Sequence, residues 1–187
     1  MTVTATALIN DIAYTQVSMK TKKAILGQLL FLTLALVLPT LTHRLGLNYL
    51  AAQPMHWMIL FAGLTYGALS GMLLGAAIPV VSFLVSGMPV PVMLPLMIPE
   101  LAVYGLLSGL LKQRTTAFGS VAISLVAGRI VFLILLAITG QLGVPVFEYI
   151  QATWFPGLTA VILQISILPI FAGLYINWSL NRTNESE

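Results

Sequence analysis

Two charged side chains stand inside otherwise apolar runs of this chain. Glu100 follows Met97-Ile-Pro99, and Arg129 interrupts the run Phe118–Thr139. An ionisable group in lipid is expensive and by default marks function, but two of opposite sign can also serve each other. Two readings therefore stand together. In one, the carboxylate and the guanidinium line an outward-opening site and bind polar groups of a solute. In the other, they form a single ion pair that joins two adjacent helices. At 1.5 Å per residue their depths differ by roughly 9 Å, within reach of a long arginine.

Other polar groups gather around the same end of the sequence pattern. His56 and Trp57 open the second apolar run, where they suit stacking on, and hydrogen bonding to, a flat heterocycle, or plain anchoring at a membrane interface. Tyr104 and Gln164 are isolated polar groups in apolar runs, and each faces a cavity or satisfies a neighbouring backbone group. Met88 and Pro89 stand in a proline-rich loop, and Met88, Met93 and Met97 suit an adaptable apolar wall or ordinary core filling. The candidate solute-binding set is His56, Trp57, Met88, Pro89, Glu100, Tyr104 and Arg129.

Several chemistries are disfavoured. With two histidines at no regular spacing and no cysteine, no metal site and no disulfide is expected. There is no Walker A loop, no Ser/His/Asp set and no His-Glu-x-x-His, so the chain reads as neither an ATPase nor an intramembrane hydrolase, and no cofactor is expected. The net charge of +3 does not suggest nucleic acid, because the basic residues flank apolar runs.

The elements that must position these residues are apolar helices. The chain has 187 residues, a mean hydropathy of +1.01, 59% hydrophobic residues and only 7% charged ones. Soluble domains carry roughly 25% charged residues, so an all-α integral membrane protein folded as one compact bundle is expected. The runs are continuous, unlike the alternating strands of a membrane β-barrel.

The densest stretch is Ser86-Gly-Met-Pro-Val-Pro-Val-Met-Leu-Pro-Leu-Met-Ile-Pro-Glu100. With Pro79, Pro89, Pro91, Pro95 and Pro99 it holds or adjoins five of the ten prolines. Non-regular backbone and a charge are both tolerated at membrane depth where they line a cavity. The stretch therefore reads as the lid and wall of a binding site.

Six spans are expected: about Ala24–Leu41, Met55–Tyr66, Gly71–Val85, Leu96–Leu111, Phe118–Thr139 and Trp154–Leu180. Loops are expected at 42–55, 86–95 and 140–153, with a short turn at Gly67–Ser70 and a polar hinge at Lys112–Thr116. The second and third spans together cover only about 30 residues against roughly 20 for each crossing, so one is short or tilted. Residues 1–19 form a polar tail or an interfacial helix, 20–180 the membrane domain, and 181–187 a polar tail.

Six spans put Lys20, Lys22, Lys23, Lys112, Arg114 and Arg182 on one side and Arg44 alone on the other. The positive-inside rule then places both termini in the cytoplasm. Fusing the second and third spans would destroy that asymmetry. Trp57 and Trp154 fall at the outer boundary and Trp178 at the inner one, where aromatic belts lie. Gly63, Gly67, Gly71 and Gly75 form a small-xxx-small ladder suited to close helix packing, and Gly105 and Gly109 suit the same use.

The run Pro54-Met-His-Trp-Met-Ile-Leu-Phe-Ala-Gly63, then Gly71 to Pro79, then Ser86-Gly-Met-Pro89, then Met97-Ile-Pro-Glu-Leu-Ala-Val-Tyr-Gly105, resembles the substrate-binding S component of energy-coupling factor (ECF) vitamin transporters. The resemblance implies a six-helix bundle in a bacterial or archaeal cytoplasmic membrane. Such a bundle captures a small vitamin or vitamin precursor at its outer face and docks on a membrane scaffold subunit carrying two ATPase subunits. A cobalamin precursor such as a benzimidazole is the first choice of solute. The Ala-x-x-x-Ala docking motif common in that family is absent from the first span, whose small residues are Ala24, Gly27, Thr33 and Ala35. Two other classes remain beside this one: a membrane scaffold whose charges only staple helices, and a self-sufficient secondary carrier.

Overall fold

A computed structural model describes residues 17, 22–44, 53–141 and 143–184. Among the described residues there are six helices and no strand: α1 (Lys22–Arg44), α2 (Pro54–Tyr66), α3 (Ala68–Ser86), α4 (Leu94–Leu111), α5 (Ala117–Ile138) and α6 (Val146–Asn184). Of these, α3, α4, α5 and the Val146–Ser179 part of α6 are long and apolar enough to cross a membrane. Their outer faces carry large exposed apolar side chains such as Leu73, Leu84, Ile134, Phe155 and Ile162. A bundle apolar on the outside as well as inside is built for lipid rather than water, and the chain is accordingly a multi-pass membrane protein in character.

Local chemistry sets the breaks. Pro54 opens α2, where its missing N–H costs nothing and its fixed φ suits a helix start. One residue, Gly67 at φ 95°, ends α2 and starts α3. A side chain there would be strained, because that backbone region suits glycine. Gly87, left-handed at φ 74°, ends α3 and donates its N–H to the Phe83 carbonyl. Thr116 caps α5, its Oγ1 accepting from Gly119 N at 3.1 Å.

The path differs from the sequence reading in four places. The turn at 67–70 shrinks to Gly67 alone. Pro95, expected in the loop, sits in the first turn of α4, while Pro79 and Pro99 sit within helices as the span bounds had them. Neighbouring helices can compensate a proline in a membrane bundle, which is why the interruptions do not break the runs. The sixth helix begins at Val146, not near Trp154, and continues to Asn184 through what reads as a polar tail. The first helix extends to Arg44, into the expected loop. The short span is α2, with 13 residues, about 20 Å of helix. The proposed tail or interfacial helix at 1–19 lies outside the described residues apart from Val17, whose N–H donates to Thr65 O at 2.8 Å.

Glycine sets how the middle of the bundle closes. Helices α3 and α4 run antiparallel in backbone contact: a Cβ on Gly105 would overlap the Gly71 carbonyl, one on Gly75 the Leu101 carbonyl, and one on Gly109 the backbone at Gly67 and Ala68. Gly63 of α2 meets Ser108 and Gly105 from the other side. Small residues let these backbones approach where lipid supplies no hydrophobic drive. Helix α5 packs antiparallel on α4, and Ser120 Oγ donates to Ser108 O at 3.2 Å. Helix α6 runs alongside α2 and α5. Its start is fixed by Tyr149 against Leu96, Phe132 and Leu136. Farther along, Tyr175 meets Phe61 and Tyr66 of α2. Helices α2 and α6 therefore run in the same direction.

Candidate functional site

The three helices α2, α4 and α5 bring four of the seven sequence-selected residues together. Pro99 and Glu100 lie in the second turn of α4, and Tyr104 follows one turn later on the same face, as i, i+4 spacing requires. Tyr104 Oη donates to Glu100 Oε1 at 2.7 Å. Arg129 of α5 reaches the same oxygen, with Nη1 at 3.2 Å. The His56 ring of α2 lies against the Tyr104 ring, centroids 5.0 Å apart and planes tilted by 47°. Glu100 is 2% exposed and Tyr104 fully buried.

Gly128 makes this closeness possible. A Cβ there would overlap the Tyr104 ring, so α5 can approach only with glycine before the arginine. The acid and base are therefore held by one glycine, one tyrosine and two helices, and their charges cancel locally.

Of the other three selected residues, one packs on the apolar core and two stand in the α3–α4 loop. Trp57 is partly buried against the main hydrophobic cluster. Met88 is 56% exposed in the α3–α4 loop, where its N–H donates to Ser86 Oγ at 3.3 Å. Pro89 follows a cis Met88–Pro89 bond in the same loop. Neither loop residue enters the hydrogen bonds or ring contacts of the Glu100 cluster.

Sequence reasoning passed over three contributors, Tyr149, Gln53 and Gly128, and left a fourth, Gln164, between two readings. Tyr149, at the start of α6, stands within electrostatic reach of both Arg129 and Glu100. Gln53, the residue before α2, is buried with a left-handed backbone at φ 42°. Gln164, read from the sequence as facing a cavity or satisfying a neighbouring backbone group, is fully buried on α6. Gly128 carried a readable signal, a glycine directly before the arginine that interrupts the apolar run 118–139. Tyr149 and Gln53 fell in stretches read as loops, and nothing local marks them.

Several buried polar atoms lack a partner of good hydrogen-bond geometry: both ring nitrogens of His56, which has the Gln53 backbone nearby, both amide ends of Gln164, and Oε1 of Gln53 and of Gln141. Buried polar groups are nearly always paired, so such atoms call for an explanation. No group of three His, Cys, Asp or Glu side chains among the described residues could hold a metal ion.

A second buried charge lies at the other end of the bundle. Lys112 follows α4 and is 1% exposed, and its Nζ donates to Leu64 O at 3.0 Å, near the end of α2. Burial pushes its ammonium down to about 8. It ties the α2–α3 turn to the start of the α4–α5 connection.

Comparison of the chain with protein-family profiles, characterised proteins and solved structures finds no match.

Proposed function

We propose that the chain is the substrate-capture subunit of an energy-coupling factor transporter. It holds a small vitamin or vitamin precursor at the outer face of a bacterial or archaeal cytoplasmic membrane. An ECF scaffold subunit with two ATPase subunits then drives uptake. In this reading all six helices cross the bilayer and both termini are cytoplasmic. The Met88 end of the bundle faces outward, and the end with Gly67 and Lys112 faces inward, as the charge asymmetry requires.

The observation that carries the reading is the cluster of His56, Tyr104, Glu100 and Arg129, buried within an otherwise apolar bundle. His56 in it is buried with no hydrogen bond of good geometry to either ring nitrogen, the Gln53 backbone being its one polar neighbour of note. A purely structural bundle has little reason to bury a histidine with nothing to bond. The motif resemblance over residues 54–111 supports the same assignment, and a histidine ring against a tyrosine ring is the kind of pair that suits an aromatic heterocycle.

Native mass spectrometry of the purified chain, released gently from detergent, tests this. The expected result is a retained small molecule of vitamin mass, or uptake of one from a pooled vitamin mixture. A spectrum that stays empty after soaking would defeat the capture reading.

One observation favours a different reading, a membrane scaffold. Glu100, Arg129 and Tyr104 satisfy one another, which is what a helix staple would do. Under that reading the Glu100→Arg, Arg129→Glu exchange retains function and no small solute binds.

A further inference from the structure

The polar groups of the cluster divide into those that satisfy one another and those that do not. Glu100 is joined to Arg129 and to Tyr104 through one carboxylate oxygen. Among the described residues the buried side chains with unpaired atoms are Gln164, His56, Gln53 and, past the end of α5, Gln141. Gln164 is fully buried in the middle of α6, and neither its amide nitrogen nor its amide oxygen has a partner. Gln53 and His56 are three residues apart at the start of α2, neighbours across one helical turn. Gln53 also holds a backbone conformation unfavourable for a residue with a Cβ, a kind of strain that collects at binding sites.

The helix register brings these groups to one level. Tyr66 of α2 and Tyr175 of α6 meet hydroxyl to hydroxyl at 2.5 Å. Counted back from that contact, His56 lies ten residues before Tyr66 and Gln164 eleven before Tyr175. The two helices run in the same direction, so His56 and Gln164 stand within about a turn of each other in depth.

The chemistry of a carboxamide defines its complement. It offers an N–H donor beside a C=O acceptor, and an edge with an acceptor beside a donor meets it with two parallel hydrogen bonds. A cyclic amide, a ureide ring or a primary carboxamide has such an edge. Neutral His56 adds one donor and one acceptor. A charged solute would instead enter where Glu100 and Arg129 already cancel each other, and burying an uncompensated charge is costly.

We propose that Gln164, His56 and Gln53 form a recess between α2 and α6 that takes a neutral solute by an amide-type edge. The Glu100–Arg129 pair then binds no solute directly; it holds Tyr104 against His56. This inference rests on the capture reading and narrows it to a chemical class.

The test uses the full chain in detergent and two matched pairs of probes: uracil with orotate, and nicotinamide with nicotinate. Thermal shift and calorimetry give the binding. Uracil or nicotinamide is expected to raise Tm while its acid counterpart does not. Gln164→Met, close in volume and free of the unpaired amide, is expected to weaken that binding by about tenfold to a hundredfold, the loss of one or two hydrogen bonds. His56→Phe, with the same expected loss, serves if Gln164→Met does not fold. Acid probes binding as tightly as neutral ones overturn the proposal. So does neutral binding that Gln164→Met leaves unchanged, and so does the absence of a shift with all four probes. A vitamin retained in the native mass spectrum and still bound by Gln164→Met refutes the recess while leaving the capture reading standing. A spectrum that stays empty defeats both.

Discussion

Breaking the Glu100–Arg129 pair one partner at a time separates its structural worth from any role in binding. Arg129→Met leaves the Glu100 carboxylate, 2% exposed, with only the Tyr104 hydroxyl. Removing one partner of a buried pair costs about 3–5 kcal/mol, mostly from the charge left behind. Glu100→Gln keeps an oxygen for Tyr104 and leaves Arg129, whose side chain is 21% exposed. A long arginine can shift its head toward a polar boundary, so about 1–2 kcal/mol is expected. The double variant leaves no charge to compensate and should cost about 1 kcal/mol or less. The single losses then exceed the double loss by roughly 4 kcal/mol, a coupling beyond the range common for neighbours and fitting a buried pair. Reversible unfolding of the four proteins in mixed micelles measures it. For a chain of this size the Arg129→Met loss corresponds to about 6–20 °C in Tm. A coupling below about 0.5 kcal/mol, with Arg129→Met as stable as the parent, would refute the account of a dry, mutually dependent pair.

Three further outcomes follow from particular contacts. Gly105→Ala sets a Cβ on the Gly71 backbone, where no side chain can yield, so α3 and α4 must separate; a loss of about 1–3 kcal/mol is expected in thermal unfolding. Gly119→Ala meets only side-chain atoms, Thr116 Oγ1 at 3.2 Å and Thr115 at 3.7 Å, and should change Tm little, so equal losses in the two would discredit the close-packing argument. Lys112 is held at about 8 when folded against 10.5 when free, so between those values the unfolded chain binds the proton and the folded chain does not. Stability should therefore rise with pH from about 8 to 10.5 and be level in this respect below 8. Denaturation midpoints across that range should lose this rise in Lys112→Met. The chain has no cysteine, so single cysteines report topology cleanly. In whole cells a membrane-impermeant maleimide should label Val90→Cys directly and Arg114→Cys only after permeabilisation, and the reverse pattern would invert the proposed orientation.

The sequence carried the helical membrane character and most helix positions to within a few residues, because apolar runs of this length have few other uses in water or lipid. One proline misled it. Pro95 read as the end of the loop, yet α4 already begins at Leu94, where a proline in the first turn costs no hydrogen bond; Pro79 and Pro99 lie inside helices, within the spans expected for them. The polar start of α6 misled it too: Glu148, Tyr149 and Gln151 look like a loop, but the helix is already running at Val146.

For the site, pairing was legible and selection was not. Glu100, Arg129 and Tyr104 stand out because each is a costly residue in lipid, and costly residues need a reason wherever they sit. Met88 and Pro89 were chosen for their loop, but bonding in the cluster passes them by. Gln53 and Tyr149 were overlooked because their importance comes from what lies across the helix interface.

The one-dimensional pattern alone determined that this chain is a bundle of apolar helices with two opposite charges buried in it. Hydropathy and charge are properties of single residues, and the bilayer reads them one helix at a time. Only the tertiary structure decided that one carboxylate oxygen serves both Arg129 and Tyr104, that Gly128 gives Tyr104 its room, and that His56 and Gln164 are left unbonded at one depth. Those facts depend on the register between helices far apart in sequence. That register is set by backbone contacts such as Gly71 on Gly105, and no single segment contains it.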